Sequence, residues 1–173
     1  MHLKTDARVY VSASAKQTLL LDVFKRRSIE ACGVLIGSID HAGNWHVEGV
    51  HPLRNIFDSP SYFEFAPEDL LAADLAYPDQ IIGAYHSHPS GFAKPSQTDR
   101  QNMKRVNVSQ RIPWAWLIVC GPFQSTALTL TLTQQQQKPP VDATILAFHH
   151  YSDEGLCSIP LQFEDETLAS DCS

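Results

Sequence analysis

At 173 residues, with 43% hydrophobic and 18% charged content, the chain is long and apolar enough to bury a core, which excludes a disordered protein. A formal charge of −6 speaks against a nucleic-acid partner, because phosphate binding needs a basic face; Lys25, Arg26 and Arg27 form only a local basic cluster. No stretch reaches the roughly 18 apolar residues of a membrane span, and MHLKTDARVYVSA lacks the apolar centre of a signal peptide, so the expectation is a cytoplasmic protein with no membrane partner.

In chain order, RVYVS (8–12) reads as a short strand. Ser14 is a candidate cap for a helix running to about Arg27, with Leu19, Leu20, Val23 and Phe24 on its apolar side. EACGVLIGSI (30–39) is a nearly continuous apolar run, too short for a typical helix, and reads as a buried central strand. Residues 44–51 alternate and suggest a neighbouring strand across a turn at His41–Asn44. A loop follows, then APEDLLAADLAY, whose Pro67, Glu68 and Asp69 suit a first helical turn. QIIGAYHSH reads as another buried strand, PSGFAKP as a loop and SQTDRQNMKRV as a third helix. WAWLIVC, TALTLTLT, TILAFHHY and CSIPLQF supply further strands, with QQQQKPP as a polar loop between two of them. The pattern predicts one α/β (α+β) domain over residues 1–173, a mixed sheet with about three helices, and a frayed acidic tail after about 164. Cys32, Cys120, Cys157 and Cys172 form no C-x-x-C pair, which argues against both a cysteine zinc site and a disulfide scaffold.

The chemistry concentrates in HSHPSGFAKPSQTD (86–99). His86 and His88 lie two apart at the end of a predicted strand, so both imidazoles share one face while Ser87 faces the other way. Ser96 is a natural helix N-cap and Asp99 the third helical residue; Ser-x-x-Asp is by itself an ordinary capping pattern. If the loop folds back, Asp99 adds a carboxylate oxygen to the two nitrogens, a set that suits one Zn²⁺ and leaves a fourth tetrahedral position for water. Glu30 opens an apolar strand. It sits either at an exposed strand end or, buried, as a general base beside that water.

Glu30 followed by A-C-G-V-L-I-G, then H-S-H-P, a seven-residue interval from His88 to the serine, and S-x-x-D resembles the JAMM motif of MPN-domain (JAB-domain) metalloproteases. The resemblance continues into Trp116–Pro122, where that family has its next core strand, and covers roughly residues 8–163. It implies a cytidine-deaminase-like MPN fold. It implies His86, His88 and Asp99 as ligands of one zinc ion, Glu30 as catalytic acid/base, and Ser96 as hydroxyl donor to a developing oxyanion. The reaction implied is hydrolysis of a peptide or isopeptide bond by attack of zinc-bound water. Compact prokaryotic members process ubiquitin-like or sulfur-carrier proteins near a C-terminal Gly-Gly, which makes such a protein the expected partner. Substrate-binding residues are not defined by the motif, though Asn55, Phe92 and Lys94 lie in segments near it. A homodimer is left open, and so is a metal-binding MPN scaffold or a RadC-like relative without peptidase activity.

Overall fold

The computed structural model describes residues 6–123 and 143–164. The expected strand over 126–133, the QQQQKPP loop, Cys172, and the tail beyond Glu164 lie outside the described residues. The element order is β1 (Val9–Val11), α1 (Ala13–Lys25), β2 (Cys32–Ile39), β3 (Trp45–Leu53), α2 (Pro67–Ala76), β4 (Ile81–His88), α3 (Gln97–Lys104), β5 (Ala115–Cys120), β6 (Thr144–Tyr151), β7 (Gly155–Ile159) and β8 (Leu161–Phe163). Among the described residues no helix is long and apolar enough to cross a membrane.

Among the described residues eight strands form one mixed sheet in the order β7-β6-β5-β4-β2-β3-β1-β8. The centre is β2, antiparallel to both β3 and β4, and β4 runs parallel to β5. The apolar run of β2 is buried from Cys32 to Gly37 because helices cover both faces. CSIPLQF is not a single strand. Pro160 divides it into β7, which pairs with β6, and β8, which pairs with β1 at the other end of the sheet. Proline has no N–H for a ladder and breaks it at that point. With one residue between the two outermost strands, the sheet must curl until its ends meet.

α1 fills the inside of this curl. Its Ala15, Leu19, Leu20 and Val23 share one apolar cluster with Val9, Leu35, Val47, Tyr85, Leu117 and Ile159, which come from both ends and the middle of the sheet. The N-cap of α1 is Ser12, not Ser14: Ser12 Oγ accepts the Ala15 N–H at 3.1 Å, and Ser14 falls in the first turn. Either serine satisfies the local preference, and the bond from Ser12 N–H to Val47 O fixes where the strand stops and the helix starts. α2 packs Ala73 against Val34, Ile36 and Leu53, while α3 packs Met103 against Ala84, Trp116 and Ile118. α3 runs on into a π-helical turn, Arg105–Ser109. Within it the buried Asn107 bonds the carbonyls of Ile112 and Trp114 and the indole N–H of Trp116, docking this turn onto β5.

Candidate functional site

Side-chain alternation along β4 separates two environments. Ala84, His86 and His88 face α3, whereas Tyr85 and Ser87 face α1. His86 and His88 are 1% and 5% exposed, so the strand carries two imidazoles into a desolvated position. The chain then reverses tightly: the His88 carbonyl accepts the amides of both Gly91 and Gly121 at 2.9 Å. Gly91 has φ +83°, and a Cβ there would stand 2.7 Å from the Gly121 oxygen, so the turn requires glycine. The loop delivers Ser96 as N-cap of α3. Ser96 Oγ accepts the Asp99 amide at 3.1 Å, and Asp99 Oδ2 accepts the Ser96 amide at 2.7 Å. This capping box locks the Asp99 carboxylate at the helix start, aimed at β4.

His86 Nε2 and His88 Nε2 lie 3.1 Å apart, and each stands 3.3 Å from an Asp99 oxygen. His86 faces Asp99 Oδ1 and His88 faces Oδ2, so the carboxylate spans both imidazoles, at separations close to the edge of about 3.3 Å that metal–ligand bonds of about 2.0–2.1 Å give in a tetrahedron. They are a buried group able to hold a metal ion. His88 Nδ1 lies 2.7 Å from the Phe92 carbonyl. A carbonyl only accepts, so Nδ1 carries the proton and Nε2 keeps its lone pair for a cation. His86 Nδ1 has no hydrogen-bond partner among the described residues; its ring is held instead by a stack on Phe63, centroids 4.5 Å apart.

Charge in the site is unevenly distributed. Burial lowers the pKa of His86 and keeps it neutral. Burial also pulls His88 down, but hydrogen bonds to Asp99 and the Phe92 carbonyl outweigh it and the net shift is upward. For Asp99, burial pushes up, yet bonds from both imidazoles and the Ser96 amide hold the carboxyl well below its usual range. Glu30 is 6% exposed and lies two residues before β2. It is therefore not an exposed strand end. Burial, opposed by His88 and reinforced by Asp99, pushes its carboxyl up to about 7. Glu30 lines one narrow crevice together with Phe63, Ser96, Thr98, Asp99 and Asn102. Tyr62, Phe63 and Asn102 also line an apolar groove of about 730 Å³ between α2 and α3, walled by Leu70, Val106 and Trp116.

All five residues singled out in the sequence, Glu30, His86, His88, Ser96 and Asp99, thus meet at this end of β4. Residues that the motif does not contain hold them there. Ser87 Oγ accepts the Ala31 amide at 2.9 Å from the opposite face of β4, fixing the residue next to Glu30. Phe92 contributes its carbonyl while its ring is 54% exposed, and Lys94 is exposed. Asn55 is buried, and its side-chain hydrogen bonds go to backbone. Of the other histidines, His46 pairs with Asp40, His149 bonds the Trp114 carbonyl, and His41 is exposed, all away from the site.

Comparison with known proteins agrees with this geometry. A family model described as prokaryotic homologs of the JAB domain matches residues 12–132, an interval containing all five residues. The chain is 32% identical over 105 residues to a desampylase of Haloferax volcanii, a match covering 56% of this chain and 73% of that protein. It is 36% identical over 104 residues to a desampylase of Pyrococcus furiosus, covering 58% of this chain and 66% of that one. In fold it resembles a Desulfitobacterium hafniense protein solved in solution, with TM-score 0.65 and 23% identity over 91% of this chain and 94% of that one. A Salinibacter ruber protein is also similar, with TM-score 0.56 and 19% identity over 90% and 92%. With the family match spanning α1 through β5, and the Glu30, H-S-H-P and S-x-x-D segments brought together in space, this chain belongs to the JAB-domain (JAMM/MPN) family in its prokaryotic branch.

Proposed function

We propose that the chain is a zinc-dependent peptidase or isopeptidase that cuts an amide bond near the C-terminal Gly-Gly of a ubiquitin-like or sulfur-carrier protein. One observation carries the reading. Two imidazole nitrogens lie 3.1 Å apart, each 3.3 Å from an oxygen of the Asp99 carboxylate, and a buried glutamate with its pKa near neutrality lines the same crevice as Asp99. Structural zinc sites are closed by four protein ligands; among the described residues three converge here, a set that suits an ion with one position left for chemistry. Similarity to two proteins named desampylase supports a hydrolytic role of that class.

His86, His88 and Asp99 would hold the ion, one per chain. When bound there, zinc supplies Lewis-acid chemistry, acidifying water and polarising the scissile carbonyl. Glu30, with a pKa of about 7, can take a proton from the attacking water and return it to the leaving nitrogen at neutral pH. Ser96 uses a lone pair to accept the Asp99 amide, which leaves its O–H free to donate to an oxyanion in the crevice. Phe63 and Tyr62 narrow the approach and favour residues as small as glycine beside the cut.

The test is a pair of variants assayed against a ubiquitin-like protein extended beyond Gly-Gly, with products read by mass spectrometry. Glu30→Gln should keep one zinc per chain and lose about 10²–10⁴-fold in turnover, the range of general acid–base catalysis. His86→Ala should lose both zinc and turnover. Undiminished cleavage by zinc-loaded Glu30→Gln would remove Glu30 from the mechanism, and a wild-type chain that takes up no zinc would end the reading.

A further inference from the structure

Asn55 sits in no part of the metal-binding motif, yet it is 4% exposed and its side chain spends all its hydrogen-bonding capacity on backbone. Nδ2 donates to the Glu30 carbonyl at 3.1 Å and to the Tyr62 carbonyl at 2.9 Å. Oδ1 accepts the Phe57 amide at 3.1 Å and the Glu64 amide at 3.3 Å. Two donors and two acceptor directions are the full capacity of a carboxamide. Three of these contacts organise the loop between β3 and α2, and the fourth ties that loop to the main chain of Glu30. Phe63 lies between the two loop residues that Asn55 grips, Tyr62 and Glu64, and its ring stacks on His86. That stack matters because His86 Nδ1 lacks the hydrogen bond that ordinarily orients a metal-binding imidazole.

We propose that Asn55 is a positioning residue that sets two parts of the site at once: the placement of Glu30 through its carbonyl, and the orientation of His86 through the Phe63 stack. This rests on the functional reading above and adds a device to it. The neck of the loop is closed independently, by Ile56 N–H to Glu64 O at 3.0 Å and Ala66 N–H to Arg54 O at 3.2 Å. Ser59 O also accepts the Glu30 amide at 2.8 Å. Substituting Asn55 therefore loosens the loop from the site without dissolving it.

Aspartate separates this role from mere space filling. Asn55→Asp keeps the volume and both acceptors but sets an oxygen, in place of the donor, against the carbonyls of Glu30 and Tyr62. The experiment compares wild type, Asn55→Ala, Asn55→Asp, Phe63→Leu and the Asn55→Ala/Phe63→Leu double variant. It reads zinc affinity by chelator competition and, on zinc-saturated protein, kcat and KM separately. Asn55→Ala and Asn55→Asp should each weaken zinc binding about 10-fold or more and lower kcat at least as much, with KM changed under about threefold, in keeping with loss of outer support around a metal ligand. Phe63→Leu should weaken zinc by a similar factor, and the double variant should be no weaker than the worse single one, because both act through the same ring. Wild-type behaviour of Asn55→Asp would overturn the proposal. So would zinc effects of Asn55→Ala and Phe63→Leu that multiply in the double variant. Zinc-loaded, active wild type with unaltered Asn55 variants would reject this inference alone, whereas zinc-free, inactive wild type would reject the functional reading beneath it.

Discussion

Two clusters of polar side chains flank β2 and β4, one on each face of the sheet, the first half-buried at Asp22 and Arg26 and the second buried, and they are built on opposite principles. On the α1 face, Asp22 pairs with Arg26 and accepts the Tyr85 hydroxyl at 2.7 Å, and Arg26 also donates to the carbonyls of Leu53 and Cys32 at 2.7 and 2.8 Å. Opposite charges are matched, and burial with Asp22 pushes the Tyr85 hydroxyl well above its ordinary pKa, so it stays a neutral donor. On the α3 face, Glu30, Asp99, His86 and His88 crowd two carboxylates against two imidazoles, one of which burial keeps neutral. The first cluster is complete and stabilises the fold. The second is short of positive charge, and its two imidazoles and Asp99 form a group able to hold a cation. A buried polar group without its full complement weakens the fold, and such groups concentrate where chemistry is done.

The comparison can be broken or sharpened by measurement. The largest effect is expected from Arg26→Ala, which strands Asp22 and two carbonyls: a loss of about 3 kcal/mol in denaturant unfolding, the low end for a buried pair deprived of one partner because this pair is half-buried. A smaller loss than Tyr85→Phe produces would break the contrast. Glu30→Gln should act in the opposite direction. An acid whose pKa is higher folded than unfolded binds its proton more tightly when folded, so its ionisation subtracts stability. The subtraction is full above the folded value of about 7 and vanishes below the ordinary 4.5. In metal-stripped protein the variant should therefore be more stable than wild type by at most about 3 kcal/mol above pH 7, from the equivalence of one pKa unit to about 1.4 kcal/mol. That advantage should disappear toward pH 4.5, as followed by thermal unfolding across the range.

Next in size is zinc itself. At a free concentration about 100 times its Kd it should add about 2.7 kcal/mol to wild type and nothing to His86→Ala, read as a concentration-dependent rise in Tm. Arg26→Met should keep that increment, since the α1-face cluster does not touch the ion. Tyr85→Phe should show the smallest effect, about 1 kcal/mol for one hydrogen bond, with turnover unaltered.

Much of this site was readable before any coordinates. The two-residue spacing of His86 and His88 on a strand forces a shared face, and Ser96 three residues ahead of Asp99 forces a capped helix; both are short-range consequences of backbone geometry. The burial of Glu30 was one of two readings, and it was settled by Asn55 and Ser59, which come from a loop about 25 residues away. Asn55 and Phe92 stood out only as neighbours of the motif and Ser87 only by its face; their roles, and that of Phe63, left no pattern because each acts on backbone or on a ring face across the fold, and no periodicity encodes such contacts. The shift of the α1 cap from Ser14 to Ser12 has the same origin: two serines with equal local propensity, separated by a strand contact.

Local order therefore already dictates which faces of β2, β4, α1 and α3 are apolar, where the helix bearing Asp99 begins, and which atoms are available to bind a cation, since those properties depend on neighbours within a few residues. The curl that brings β7 and β8 together about Pro160, the convergence of Glu30 with His86, and the loop that grips both come from packing between distant segments. Burial free energy is non-directional and gathers these segments without specifying their alignment. Alignment is supplied by the directional bonds of Asn55, Ser87 and Arg26, which exist only once the chain has closed.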